Sequence, residues 1–258
     1  MTLNKRVLVG ISGGIDSLVA VVDLKRRGYT PIGCTIIMNR EQQNVERAAQ
    51  LAKLLSIEHH YIDVSHEFND KVIQYFMDEY LSGSTPNPCV RCNKEIKWKV
   101  LFEQANLYCC NYVATGHYAS KVNFKGVELI QQAADGDKDQ SFFLWGLSPE
   151  EISMVVFPLE KHSKESVLEV ARDQGFGFMM EQKSSLGACF ISMKDYRPYL
   201  KTLCLEQGIV IEQGVFSGLQ GEWLGRHDGY PFYTVGQRHG IDVKLNKRVF
   251  VHSIDAKS

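Results

Sequence analysis

No apolar run in this sequence approaches the roughly 18 residues needed to span a bilayer. The opening stretch, Met1 to Arg6, holds no signal-peptide core. A membrane or secreted protein is therefore not expected, and the reading is a cytoplasmic chain. Neither sign of charge dominates, with 29 Lys+Arg against 30 Asp+Glu and a net charge of −1. That balance argues against a dedicated basic nucleic-acid module. Disorder as the main theme is excluded as well, because 44% of the residues are hydrophobic. Internal repeats and low-complexity tracts are missing, which excludes a solenoid. The 258 residues suit one large domain, or one domain with a small appendage.

Seven cysteines make an odd count, which does not suit a closed disulfide framework. Cys34, Cys109, Cys110 and Cys204 lie in apolar surroundings and are expected to be small buried thiols. Cys89, Cys92 and Cys189 lie among Pro, Asn, Arg, Gly and Ser and need another account. Cys89 and Cys92 form a C-x-x-C, but no second ligand pair at comparable spacing accompanies it, as structural zinc would require.

Hydrophobic periodicity predicts a strand at Arg6 to Ile11, a helix at Asp16 to Arg27, a strand at Tyr29 to Met38, a helix at Val45 to Leu55 and a strand at His59 to Val64. Helices over Phe68 to Leu81 and Asn93 to Leu107 and a strand at Tyr112 to Thr115 follow. This alternation predicts an α/β fold, a parallel sheet with helices on both faces. Further on, Val127 to Gln131 reads as an edge strand. Gln140 to Leu147, Glu150 to Val155 and Ser163 to Gln174 read as helices, the last with Ser163 as N-cap and Gly175 as stop. After about residue 205 glycines recur and apolar residues alternate, as at Ile209 to Ile211 and Tyr230 to Val235. The expected division is an α/β domain over 1–205 and a small β-rich domain over 206–258.

The first chemical motif is Gly10-Ile11-Ser12-Gly13-Gly14-Ile15-Asp16-Ser17, between the first strand and the first helix. Glycines there let backbone N–H groups approach a polyanion, and the helix adds unpaired donors and the positive end of its dipole. The second is Thr85-Pro-Asn-Pro-Cys-Val-Arg-Cys-Asn-Lys-Glu-Ile-Lys97. Two prolines fix the chain before the thiols, while the following helix, Arg91 and Lys94 favour a thiolate. The third is Ser184 to Ile191, a cysteine flanked by serine and glycine.

The S-G-G-x-D-S loop resembles the pyrophosphate loop of N-type ATP pyrophosphatases, which adenylate a carbonyl oxygen. With Thr85 to Lys97, Ala114-Thr-Gly-His-Tyr118, Lys138-Asp-Gln-Ser141, Gly187-Ala-Cys-Phe-Ile191 and Thr234-Val-Gly-Gln-Arg-His-Gly240, the chain resembles, in that order, the bacterial tRNA 2-thiouridylases. The resemblance implies an enzyme that activates C2 of a uridine with ATP and Mg and replaces its oxygen by sulfur. It implies Cys92 as nucleophile and Cys189 as persulfide carrier, Asp16 at magnesium, and Gly116 and Ile36 at the nucleotide. It further implies Asn87, Pro88 and Cys89 at the target base, and Lys138, Asp139 and Gln140 at tRNA. The implied partners are tRNA or another RNA and a persulfide-donating sulfur carrier or cysteine desulfurase.

Three features depart from that family. Cys89 stands where Asp is more usual, so Cys89, Cys92 and Cys189 make a three-thiol set like that of iron-sulfur-dependent sulfurtransferases. The stretch Asn39 to Asn44 is short. The sequence stops at Ser258, where members continue into a β-barrel, so a short form is expected. Rival readings are a cluster-dependent RNA thiolase, an amidating or thiolating enzyme acting on a small molecule, and a non-catalytic nucleotide-binding paralogue.

Overall fold

The computed structural model describes residues 5–39, 42–179, 188–191, 195–241, 243 and 248–256. The chain divides into two compact units, one of residues 1–69 and 89–184, the other of residues 70–88 and 185–258.

The first unit is built on β1 (Arg6–Gly10), whose Val7, Leu8 and Val9 are fully buried. Successive side chains of a strand point to opposite faces. Val7 and Val9 accordingly join one core with residues of α1 (Ile15–Arg26) and α2 (Gln42–Leu54), while Leu8 joins another. A strand buried on both faces has to be apolar throughout, as this one is. β2 (Thr30–Ile37) and β3 (His59–Asp63) extend the sheet to one side of β1. β4 (Tyr112–Ala114) and β7 (Val155–Val156) extend it to the other, and every pairing is parallel, in the order β3-β2-β1-β4-β7. Between β4 and β7 the chain makes an antiparallel hairpin of β5 (Ser120–Phe124) and β6 (Val127–Gln131). Its turn residues, Lys125 and Gly126, have φ of 53° and 86°, the pattern of a two-residue hairpin turn matched to strand twist.

Beyond β3 the chain forms α3 (Ser65–Phe68), a π-helical segment Asn69–Ile73 and α4 (Gln74–Leu81). α5 (Pro88–Cys92) runs through a second π-helical segment, Asn93–Trp98, into α6 (Lys99–Leu107). α7 (Pro149–Met154) begins with a Ser148–Glu151 capping box, and α8 (Lys164–Asp173) with Ser163, whose side chain accepts from Ser166 N at 3.1 Å. Gly175, at φ 83°, follows α8 in the left-handed region that glycine adopts without strain.

In the second unit α4 and α9 (Arg197–Glu206) share an aromatic core of Phe76, Tyr80, Leu200 and Phe232. This unit also carries the hairpin of β8 (Gly214–Ser217) and β9 (Trp223–His227).

Several expected elements differ. Gln140 to Leu147 holds only a 3-10 turn, Ser141–Leu144, because Asp139 and Gln140 spend their hydrogen bonds on loop backbone. Tyr230–Phe232 is a 3-10 turn, in keeping with Pro231, and Ile209 to Ile211 is not a strand. Among the described residues no helix is long and apolar enough to cross a membrane.

Candidate active site

Because β2 and β4 flank β1, the connections leaving β1 and β4 diverge at the carboxyl edge of the sheet, the topological position where α/β sheets bind ligands. The loop after β1 occupies it. Gly13 takes φ 79°, and Gly14 is the N-cap of α1, with no side-chain cap hydrogen bond. The first intrahelical bond runs from Leu18 N to Gly14 O at 3.2 Å, so the N–H groups of Ile15, Asp16 and Ser17 precede the ladder. Ser17 Oγ donates to Gly14 O at 2.8 Å, and Ser12 Oγ accepts from Gly14 N at 3.4 Å, which holds the loop curled.

The loop after β4 closes on the same helix end. A Cβ on Gly116 would lie 2.9 Å from Asp16 C and Ser17 N, so only glycine lets the two backbones meet. Two residues on, Tyr118 OH donates to Asp16 Oδ1 at 2.8 Å, and Lys164 Nζ, from the first turn of α8, reaches that same oxygen at 2.6 Å. Burial, followed by the Asp16 carboxylate, raises the Tyr118 phenol well above its ordinary range. Asp135 braces this corner by accepting from Lys164 N at 2.9 Å.

Lys138, Asp139 and Gln140 lie alongside. Gln140 exchanges two bonds with Tyr118, Oε1 accepting from Tyr118 N at 3.0 Å and N donating to Tyr118 O at 2.7 Å. Asp139 accepts from Ala133 N at 2.9 Å and Ser141 Oγ at 2.6 Å. Lys138 is exposed.

On β2, Ile36 is half-buried opposite Ile62. Gly33 admits the Ile11 side chain, which a Cβ there would meet at 2.6 Å, and Thr35 Oγ1 donates to Ile11 O at 2.8 Å. β2 thus clamps the start of the loop after β1. Just past its end, Met38 Sδ lies 3.6 Å from Cys92 Sγ. Cys92 is only 4% exposed, so the thiol is held under cover. The helix carrying it begins at Pro88, which places Cys89 in the first turn and Cys92 deeper inside than the expected N-terminal position. Asn93, buried beside Cys92, donates from Nδ2 to Cys89 O at 3.0 Å, and its Oδ1 has no partner.

Cys89 and Cys92 belong to the first unit, whereas Asn87, Pro88 and Cys189 belong to the second. Cys189 is exposed, and its neighbour Phe190 packs edge-on to Phe76 at 5.4 Å, anchoring that short turn in the aromatic core. Residues 184–187 of the third motif lie outside the described residues. Of the four thiols expected to be buried, Cys34 and Cys204 are, and burial pushes Cys34 up to about 12. Cys110 is half-buried and Cys109 exposed at φ 52°, because the turn ending α6 projects it outward. Sequence reasoning missed Lys164 and Tyr118 as partners of the loop, and Asp135 as the brace of Lys164. Tyr118 lay inside a recognised motif, but Lys164 reads only as the first residue after an N-cap.

Two family models match, the tRNA methyl transferase HUP domain over residues 5–193 and the tRNA methyl transferase PRC-barrel domain over residues 203–258. A tRNA-specific 2-thiouridylase MnmA 1 from Bacteroides fragilis is 42% identical, covering 98% of this chain and 72% of its own. A tRNA-specific 2-thiouridylase MnmA from Salinibacter ruber is 39% identical, covering 100% of this chain and 72% of its own. Among solved structures, a predicted subunit of tRNA methyltransferase from Methanocaldococcus jannaschii aligns with TM-score 0.46 at 20% identity, covering 79% of this chain and 88% of that one. The chain belongs to the tRNA-specific 2-thiouridylase family, tRNA-uridine 2-sulfurtransferases built on a pyrophosphate-loop nucleotide-binding fold.

Proposed function

We propose that this chain adenylates C2 of a tRNA uridine with ATP and exchanges its oxygen for sulfur, working in the cytoplasm with a persulfide-donating protein. The observation that carries the reading is the service of β2 to both halves of the chemistry: Gly33 and Thr35 clamp the phosphate loop, and Met38 covers Cys92.

The loop fits a polyphosphate. Backbone N–H groups of Ile15 to Ser17 and the hydroxyls of Ser12 and, on release of Gly14 O, Ser17 would face phosphate oxygens, with the loop Gly10, Ile11, Gly13 and Gly14 coming close. Gly116 lets the loop after β4 pack against that helix end beside the nucleotide, and Ile36 offers an apolar contact to adenine. The Asp16 carboxylate fits magnesium, a hard cation that takes one protein oxygen together with phosphates, and when bound it neutralises charge on those phosphates. Lys164 adds a cation beside the same oxygens.

Once C2 carries AMP as a leaving group, the terminal sulfur of a Cys189 persulfide bonds to C2 and AMP departs. The Cys92 thiolate then attacks Cys189 Sγ. The former persulfide S–S bond breaks, its electron pair stays on the sulfur attached to C2, and a Cys92–Cys189 disulfide is left for an external thiol to reduce. Asn87 to Cys89 would meet the target base, Lys138 to Gln140 the tRNA, and residues 206–258 would form a small RNA-contacting domain. A cluster held by Cys89, Cys92 and Cys189 is the rival route, and iron and sulfide analysis of anaerobically purified protein separates the two.

Mass spectrometry of tRNA nucleosides from cells lacking the gene tests the proposal. Loss of a 2-thiolated uridine is expected, and an unchanged set of thiolated nucleosides overturns it.

A further inference from the structure

The 3-10 turn Ser141–Leu144 is fastened to the core by Leu144, 1% exposed, and by Leu147 just beyond it, 9% exposed. Between and beside these anchors, Phe142 and Trp145 are 64% and 65% exposed. Single exposed aromatics are ordinary, but two on one rigid turn require an explanation. The turn also faces a cation. Lys94, two residues after Cys92, runs its stem across Gly146, where a Cβ would sit 2.9 Å from Lys94 Cδ, and its Nζ lies 5.8 Å from the centre of the Trp145 ring. Its neighbours are otherwise engaged, Arg91 with Glu95 at 3.3 Å and Lys99 with Glu67 at 3.1 Å.

We propose that Trp145 and Phe142, with Lys94 at the Trp145 ring, form a stacking platform for an unpaired nucleotide flanking the target uridine. The inference rests on the RNA reading above and gives that reading a contact outside the target-base pocket. An indole 65% exposed accepts any base by stacking on the face away from Lys94, and the ammonium over its other face meets a neighbouring phosphate, the pairing that single-stranded nucleic-acid sites use. The cation favours RNA over an apolar protein partner, whose docking would bury that charge. Gly146 makes room for the Lys94 stem, which a Cβ there would crowd at 2.9 to 3.2 Å.

The test measures binding of an anticodon stem-loop RNA to the full chain by fluorescence anisotropy at two salt concentrations. Trp145→Ala should weaken binding about tenfold or more with an unchanged thermal midpoint, and Trp145→Phe should restore most of it. Lys94→Ala should weaken binding and flatten the slope of log affinity against log salt by about 0.7 to 0.9, the loss of one phosphate contact. Equal stem-loop affinity in wild type and Trp145→Ala overturns the platform alone. Failure of the wild type to bind the stem-loop overturns the RNA reading and the platform with it. Unchanged RNA affinity combined with slower sulfur transfer from the persulfide donor assigns the surface to that donor protein and overturns the platform.

Discussion

Lys164 Nζ lies 2.6 Å from Asp16 Oδ1, across 148 residues of sequence. The same oxygen also accepts from Tyr118 OH, so the carboxylate that fits magnesium is held by a cation and a phenol at once. Asp16 would hold magnesium there and Lys164 would place its charge beside the phosphates. Lys164→Met should therefore slow pyrophosphate release at least tenfold while Lys164→Arg retains part of the rate. Asp16→Ala should abolish adenylation, assayed as AMP and pyrophosphate, and finding ADP and phosphate instead would contradict the chemistry.

Gly116→Ala tests the closure of the two loops. Its new methyl would meet backbone atoms of Asp16 and Ser17 at 2.9 Å, and backbone yields less readily than a side chain. ATP affinity should fall at least tenfold, with about 1–3 kcal/mol of stability lost to overpacking. Equilibrium dialysis and urea unfolding read the two effects separately.

For the thiols, Cys92→Ser and Cys189→Ser should each end thiolation and leave ATP binding intact, because a hydroxyl can neither carry a persulfide nor close a disulfide. Cys109→Ala, at an exposed turn, should leave thiolation unchanged. A fully active Cys189→Ser protein would refute the sulfur relay. Activity in air that survives Cys89→Ala would agree with two working thiols.

His117 sets a pH dependence of stability. Burial first, and the Lys97 charge second, lower its imidazole to about 3, and Nδ1 is 2.7 Å from Thr115 Oγ1. The unfolded chain takes up that proton near pH 6.5 and the native state does not, so the contribution is complete above about 6.5 and is lost as pH falls toward 3. The wild-type urea midpoint should drop between pH 7 and pH 5, and His117→Gln should show a shallower drop over the same range.

Local pattern made much of the first unit legible. The apolar run at Val7 to Val9, the glycines after it and the helical spacing of Leu18, Val19 and Val22 declare strand, loop and helix within one continuous stretch. Ser163 and Gly175 mark their helix for the same reason, since caps act on neighbouring backbone. What stayed hidden depends on distant partners. Nothing around Lys164 signals that it will meet Asp16, and Gln140 reads as helical until Tyr118 claims its bonds. The π-helical segments were equally silent, because their apolar spacing differs little from that of an α-helix over so few residues. Cys109 misled because an apolar neighbourhood in sequence became an outward turn in space.

The π-helical stretch Asn93–Trp98 gives the placement of Cys92 an arithmetic character. Such a stretch amounts to an α-helix carrying an additional residue, absorbed by a wider turn. Ile96, Trp98 and Leu101 lock the far side of that turn in the interior, so the residue count between them and Cys92 acts like a vernier on the thiol. Removing one residue of the stretch would relax the wide turn to ordinary pitch and keep Cys92 in phase with those anchors, whereas removing a second would swing its side chain about 100° around the helix axis, away from Met38. The aim of the Cys92 thiol is thus inherited as a number of residues as much as through their identities, and a two-residue deletion there should impair thiolation more than a one-residue deletion.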